Sequence, residues 1–343
     1  MVAKTSPNPR LNLRFGDHAD IETVSNFIDQ HWQNGHVLSR DRELFDFMFL
    51  ENDGRLNFAL AFEPLSNELI AILGFLPTNV SHSRISLSMW KARSDAHLRK
   101  HKAGLAVLRF LIEELKPQSI FSTGISIDTR DIYRFLGYSC DVMNHHVIIN
   151  DQISEFKILL NPPASLGSRH PSDLLNESVL VVESESDLQR FAQRFELEKS
   201  GKDLGYLSRR YLEHPRFQYS IREVLADSKT VGLVVFRRSF ANERSCIRII
   251  DVIGDEICLK SAIGPLIQEM VANGDEYIDL LSWGLDNRQF KDMGFLNCQD
   301  IASCIVPEYF SPFSQTKVDR WLFTNLPQSE KFFKGDGDQD RPN

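Results

Sequence analysis

Hydrophobic and polar positions alternate along this chain in two periods, one helical and one extended. Ile21 to His31 carries apolar residues at the three-to-four spacing of an amphipathic helix, and Leu44 to Leu50 is a shorter stretch of the same kind. Phe58–Phe62 and Leu69–Leu73 are apolar runs of strand length, and Pro64 and Asn67 between them predict a hairpin. Ile85, Leu87 and Met89 alternate with Ser86, Ser88 and Trp90, the pattern of a half-buried strand. After Gly104, apolar residues recur at Leu105, Leu108, Leu111, Ile112 and Leu115, which predicts a helix of about three turns stopped by Pro117. Ser119 to Ile127 then predicts a strand, Ile132 to Leu136 a short helix and His146 to Ile149 a strand.

The same plan recurs further along. Ser126–Tyr138 can be laid on Trp283–Phe295, which places Gly137 on Gly294 and Tyr133 on Phe290. Gly232–Phe236 and Ile247–Val252 predict paired strands, and a helix over Ala262–Val271 follows them. A Pro, Ser and Gly-rich segment, Asn161–Ser172, separates the two halves. The expectation is a mixed α/β (α+β) protein of two tandem domains, each a mostly antiparallel sheet flanked by helices. Their bounds are 1–160 and 179–328, with a linker over 161–178 and a tail over 329–343. The tail run Asp336–Asp340 is acidic but lacks the glutamate and helix pair of a calcium loop, so a solvated tail and a segment folded back on a domain stay equally open.

Composition changes this picture in three ways. A net charge of −8 over 343 residues argues against a nucleic-acid partner, which would need a basic face. Five cysteines without a CxxC pair predict reduced thiols and no metal site. No run of about 18 apolar residues occurs and Met1–Phe15 has no apolar core, so neither a membrane span nor a signal peptide is expected, and the cytoplasm is the expected location.

Candidate chemistry concentrates at His101–Ala106, between a strand and a helix. Gly104 lets backbone approach a ligand closely, and the first N–H groups of a helix have no partners inside it and suit phosphate. Arg99, His101 and Lys102 add positive charge. A pyrophosphate there would meet amide donors, a helix dipole and basic side chains together.

This segment resembles the phosphate loop of the GNAT N-acetyltransferase superfamily, Arg/Gln-x-x-Gly-x-Gly/Ala, with Gly104 and Ala106 in place and His101 at the first position. Ile132-Tyr133 followed by Leu136-Gly137-Tyr138 resembles the superfamily's later Tyr and Gly-aromatic segment. The resemblance implies acyl-coenzyme A as co-substrate, held by Arg99, His101, Lys102, Ala103, Gly104, Leu105 and Ala106 and by the fourth strand at Trp90, Lys91 and Ala92. One main-chain N–H of that strand would face the tetrahedral oxyanion. Tyr133 matches the tyrosine that protonates the leaving thiolate or hydrogen-bonds to it. Asp128, His36, Glu51 and a water chain all stay open as the base. The second copy has the acidic Ile253–Ala262 where the loop would stand, and Asp255 and Glu256 would repel a pyrophosphate.

Ile72–Pro77, Met89-Trp-Lys91, Tyr206–Tyr219 and Asp338–Asn343 resemble a narrower branch, tandem GNAT proteins that act on nucleotide-linked amino sugars in bacterial surface polysaccharide (O-antigen) synthesis. The implied acceptor is a thymidine- or uridine-diphosphate amino-deoxy-sugar, with Arg210, Tyr211, His214, Tyr219 and His36 as substrate-binding candidates. Arg210 can pair with phosphate in a bidentate way, and Tyr211, Phe217 and Tyr219 can stack on a base or sugar. For Tyr206–Tyr219, an amphipathic helix with its aromatics in the core stays equally open. A Fem-like aminoacyl transferase and a non-catalytic protein that binds acyl-coenzyme A or sugar are the competing functional readings.

Overall fold

The computed structural model describes residues 11–95, 98–163, 178–301, 303–328 and 330–342. Residues 164–177 of the expected linker, and most of Met1–Phe15, lie outside the described residues. The chain forms two compact units, one from the chain up to Pro77 with His82–Gln118, the other from Thr78–Ser81 with the chain from Ser119 onward.

The first unit is an antiparallel meander of β1 (Asn12–Asp17), β2 (Arg55–Phe62), β3 (Leu69–Pro77) and β4 (Arg84–Ala92). Helices α1 (Ile21–Phe27), α2 (Val37–Arg40) and α3 (Arg42–Phe49) lie between β1 and β2, and α4 (Ala103–Leu115) follows β4. The predicted helix over Ile21–His31 changes to a π-helical turn over Ile28–Trp32. The core gathers Phe27, Phe45, Phe49, Phe58 and Ile72. One expectation fails here. Ser86 and Ser88 are as buried as Ile85 and Leu87, so β4 is covered on both faces rather than half-buried.

β4 carries a feature that the sequence does not announce. Ile72 faces Lys91 while Gly74 faces Ser88, so β4 holds one residue more than β3 over this stretch. Met89, at φ 51°, takes up the extra length in a left-handed conformation unusual for a non-glycine residue. The bulge re-aims the main chain immediately before Trp90.

The second unit holds the rest. Along the chain come β5 (Ser119–Ile125), α5 (Ile127–Phe135), β6 (Ser139–Val142) and β7 (Asn144–Ile149). Then come β8 (Ser178–Val182), α6 (Glu185–Ala192), α7 (Leu204–Leu207), β9 (Ser220–Ala226), β10 (Lys229–Ala241) and β11 (Arg244–Gly254). α8 (Glu256–Asn273), β12 (Tyr277–Trp283), α9 (Asn287–Asp292) and β13 (Leu296–Asn297) follow. The chain then forms β14 (Tyr309–Phe310), β15 (Phe313–Ser314), β16 (Trp321–Thr324) and β17 (Phe332–Phe333).

Two strands cross between the copies of the plan. β7, from the first half of the chain, lies between β12 and β13 of the second. β16, from the second half, lies between β5 and β6 of the first. Trp321 of β16 is held there by the guanidinium groups of Arg130 and Arg134 over its ring. β11 and β12 run parallel in an otherwise antiparallel sheet, with α8 as their crossover. β11 repeats the bulge of β4: Val235 faces Asp251 while Phe236 faces Ile249, which leaves Ile250 as the extra residue.

α8 begins earlier than the predicted Ala262. Asp255 accepts from the N–H groups of Ile257 and Cys258, so the acidic stretch read as a loop is a helix cap and first turn.

Candidate functional site

The start of α4 is the first candidate. Lys102 caps it in a left-handed conformation (φ 50°, ψ 39°) and provides no side-chain acceptor. The N–H groups of Leu105 and Ala106 bond back to the Lys102 carbonyl, while Ala103 and Gly104 occupy positions with no carbonyl within the helix to bond. Those amides and the helix dipole make a place for a phosphate oxygen. Trp90 Nε1 donates to the Gly104 carbonyl at 2.8 Å, and a Cβ built on Gly104 would stand 3.5 Å from the Ala92 Cβ. Trp90, Ala92 and Gly104 are therefore brought together, with the Met89 bulge just upstream.

The basic side chains divide. Lys102 is exposed, and Arg99, also exposed, donates to the Ser94 carbonyl at 3.3 Å. Lys91 is partly buried. His101 has its side chain only 4% exposed and its Nε2 3.9 Å from a Glu63 carboxylate oxygen.

At α8 the corresponding position is closed. Asp255 occupies the helix donors, and Gly335 donates its N–H to the carbonyl of the bulge residue Ile250 at 2.8 Å. The segment after β17 thus bonds to the bulge of the second copy.

Tyr133 sits on α5 and is 2% exposed, stacked on Phe323 of β16 with ring centroids 3.7 Å apart. Burial, with Tyr138 and Cys140 adding to it, raises its pKa well above the ordinary phenol value, so the hydroxyl keeps its proton. Among the base candidates, Asp128 is exposed, Glu51 accepts from Asn57 at 2.6 Å, and His36 caps α2 by accepting from the Leu38 N–H at 3.2 Å.

Tyr206–Tyr219 forms α7 and a π-helical turn, Ser208–Leu212, and its aromatics are largely in the core. Arg210, Tyr211, His214 and Tyr219 come together, each under 10% exposed, and most of their polar atoms are engaged by this chain, while the buried Arg210 Nε has no hydrogen-bond partner among the described residues. Tyr219 donates to Asp340 Oδ2 at 2.7 Å, Arg210 Nη2 to the Asp340 carbonyl at 3.0 Å, and Tyr211 to Asp251 at 2.6 Å. His214 accepts from the N–H groups of Arg216 and Phe217. Burial, then Arg210, pushes His214 down to about 3, so it is a neutral acceptor.

The acidic tail is thus neither solvated nor a calcium loop. Asp336 and Asp340 are fully buried and answer Lys202, Arg237 and Tyr219, partners more than 100 residues away. Nothing in the local sequence announces this, since the run reads as hydrophilic. The paired histidines of β7 also differ. His145 lies against Asp279 at 3.0 Å, and although burial opposes charging it, Cys298 and Asp279 raise it to about 10. Burial lowers His146, stacked on Phe290, to about 4.

Among the described residues no helix is long and apolar enough to cross a membrane. No protein-family model matches the sequence, and no curated protein matches it.

The fold itself is shared with solved structures of GNAT N-acetyltransferases, and the neighbours span enough of the chain to take in two GNAT-like domains. A conserved protein of unknown function from Enterococcus faecalis V583, described as a "probable N-acyltransferase", superposes with a TM-score of 0.55 at 9% identity, over 92% of this chain and 72% of its own. A GCN5-related N-acetyltransferase from Anabaena variabilis gives 0.54 at 14% identity over the same shares. One from Kribbella flavida gives 0.52 at 13% identity, over 92% of this chain and 71% of its own.

Proposed function

We propose that this protein is an N-acyltransferase that moves an acyl group from acyl-coenzyme A to the amino group of a nucleotide-linked amino-deoxy-sugar, in the cytoplasm and for surface polysaccharide. The observation that carries the donor half is the uncapped start of α4, set against Trp90 and Ala92 just after the Met89 bulge. The pyrophosphate would lie on the first amides of α4. The bulged main chain near Trp90 would present an N–H to the thioester oxygen as it becomes an oxyanion. The shared fold supports this reading, and the closure of α8 supports a single donor site. The acceptor half rests on the resemblance of Tyr206–Tyr219 alone. Because Tyr211, His214, Tyr219 and Arg210 Nη2 bond within the chain, we assign them to holding that segment in place rather than to touching the sugar.

A Gly104→Glu variant tests the donor site. Its side chain would start beside Ala92 and Trp90 and place a carboxylate where the pyrophosphate should lie. Calorimetric titration with coenzyme A should give one equivalent bound by the parent protein and a loss of about a hundredfold or more in the variant, as expected for charge repulsion added to steric exclusion. A parent protein that does not bind coenzyme A would end the acyl-transfer reading.

Tyr133 we assign as hydrogen-bond donor to the leaving thiolate, a role that its hydroxyl, held protonated by burial, suits better than giving the proton away. Tyr133→Phe keeps the stack on Phe323, so coenzyme A affinity should hold while turnover falls about tenfold or more, the scale of one lost hydrogen bond to a charged group. Turnover is read by thiol release with nucleotide amino sugars, and an unchanged rate would remove Tyr133 from the mechanism.

A further inference from the structure

A second polar centre lies in the second unit, and none of the residues assigned to acyl transfer lines it. A cavity of about 50 Å³ opens between β10, β11, β14, β16 and the segment after β17. That is several times the space a single water needs. Its walls carry Arg237, Arg248, Arg320, Lys334 and Arg341 against only Glu308 and Asp340.

The four arginines each have a carboxylate. Arg248 pairs with Asp279 at 2.7 Å, Arg237 with Asp340 at 2.8 Å, Arg320 with Glu308 at 2.5 Å, and Arg341 faces Asp338 at 3.9 Å. Lys334 is different. It is 4% exposed, yet no carboxylate or other acceptor among the described residues pairs with its ammonium. Arg210, immediately behind Asp340, also has no carboxylate of its own, since its Nη2 bonds a main-chain carbonyl. Lys334 and Arg210 are thus two buried basic groups without a carboxylate of their own among the described residues.

A buried cation without a counterion is costly, and the protein shows that cost locally. Burial first, then Arg248 and Arg320, pushes the Lys334 amine down to about 7 despite Glu308 and Asp340. One further atom is left over. Glu308 uses Oε2 for Arg320, but its buried Oε1 has no donor among the described residues. The cavity therefore asks for a ligand with about two negative charges and one hydrogen to donate.

We propose that this cavity binds inorganic phosphate as the monohydrogen dianion, with its P–O groups accepting from Lys334 and its P–OH donating to Glu308 Oε1. The dianion balances the excess charge, and the P–OH answers the one orphaned acceptor. A wholly ionised oxyanion such as sulfate has nothing to donate and meets Glu308 oxygen to oxygen. A phosphomonoester dianion has the right charge but also lacks the P–OH. Phe217, Tyr309 and Phe310 close the walls and keep bulk water from screening the charges. The inference stands apart from the acyl-transfer reading and does not need it.

Calorimetry on the full chain in phosphate-free buffer tests it. Phosphate should bind one to one, at least about tenfold tighter than sulfate or glycerol 2-phosphate, the scale of one charge-assisted hydrogen bond gained against one repulsion. At pH 8, titrations in buffers of different ionisation heat should show proton uptake approaching one, as Lys334 recharges on binding.

Lys334→Met, which removes an unpaired buried charge and keeps the chain length, should stay folded and lose at least tenfold in phosphate affinity together with the proton uptake. Glu308→Gln should narrow the preference for phosphate over sulfate, because an amide can donate to either. The proposal is overturned by no phosphate binding up to millimolar concentration, by sulfate or the monoester binding as tightly as phosphate, or by Lys334→Met binding like the parent with proton uptake intact.

Discussion

Asp340→Ala is expected to destabilise the protein by about 3–5 kcal/mol, the usual cost of removing one partner of a buried ion pair. Asp340 is nearly inaccessible, and its carboxylate accepts from Arg237 Nη2 at 2.8 Å and Tyr219 at 2.7 Å. Burial alone would raise its pKa, but Arg237, Lys334 and Arg210 hold it far below the usual carboxylate range. A carboxylate depressed in the folded state contributes stability that is present above its unfolded pKa, near 4, and is lost as pH falls toward the folded value. The parent protein should therefore lose this contribution below about pH 4, while Asp340→Ala has none to lose. Urea unfolding at pH 7 and pH 4 measures both, and a variant as stable as the parent at pH 7 would show that the pair adds nothing net.

The second large effect has the opposite dependence on pH. Lys202 places its ammonium 2.6 Å from Asp251 and 3.2 Å from Asp336, and both carboxylates are completely buried. Even with Lys202 present, burial and the neighbouring Asp336 hold Asp251 above its ordinary value. In Lys202→Met the two carboxylates face each other with no cation between them, so at least one takes up a proton on folding. The cost at neutral pH should be about 3–5 kcal/mol. A folded pKa raised above the unfolded one gives stability that is complete below the unfolded value and falls as pH rises through the folded value. Acidifying from pH 7.5 to 5.5 should therefore narrow the gap between variant and parent. A gap that widens on acidification would mean that the two aspartates do not share a proton.

Both groups illustrate what the sequence could and could not disclose. The duplication was legible because it is local. Gly137 and Gly294 both follow a short helix with φ near +88°, and Tyr133 and Phe290 are both buried at the matching turn. The helix α4 was legible because it has a regular apolar period and a proline beyond its end. What stayed hidden depends on partners distant in sequence. Asp336 and Asp340 read as hydrophilic because the cations that pair with them lie at positions 202 and 237. Ser86 and Ser88 read as an exposed face because no pattern within β4 signals a second covering layer. The Met89 bulge is a matter of register between two strands, and a single strand has no register. His101 fits a phosphate loop by position, and the burial of its side chain beside Glu63 is a matter of packing.

The crossed strands carry a consequence for biosynthesis. β5 and β6 are complete once residue 142 has been made, but the strand that joins them, β16, begins at Trp321. A nascent chain bearing only the first half exposes two unfilled strand edges, and β7 protrudes with no sheet to enter until β12 is synthesised. Such edges recruit foreign strands, so the half-made chain is the aggregation-prone species and the last tenth of translation the decisive one. The same interlock means that a gene cut within the linker should yield two polypeptides that are insoluble apart yet reassemble when made together, each donating the strand that the other lacks.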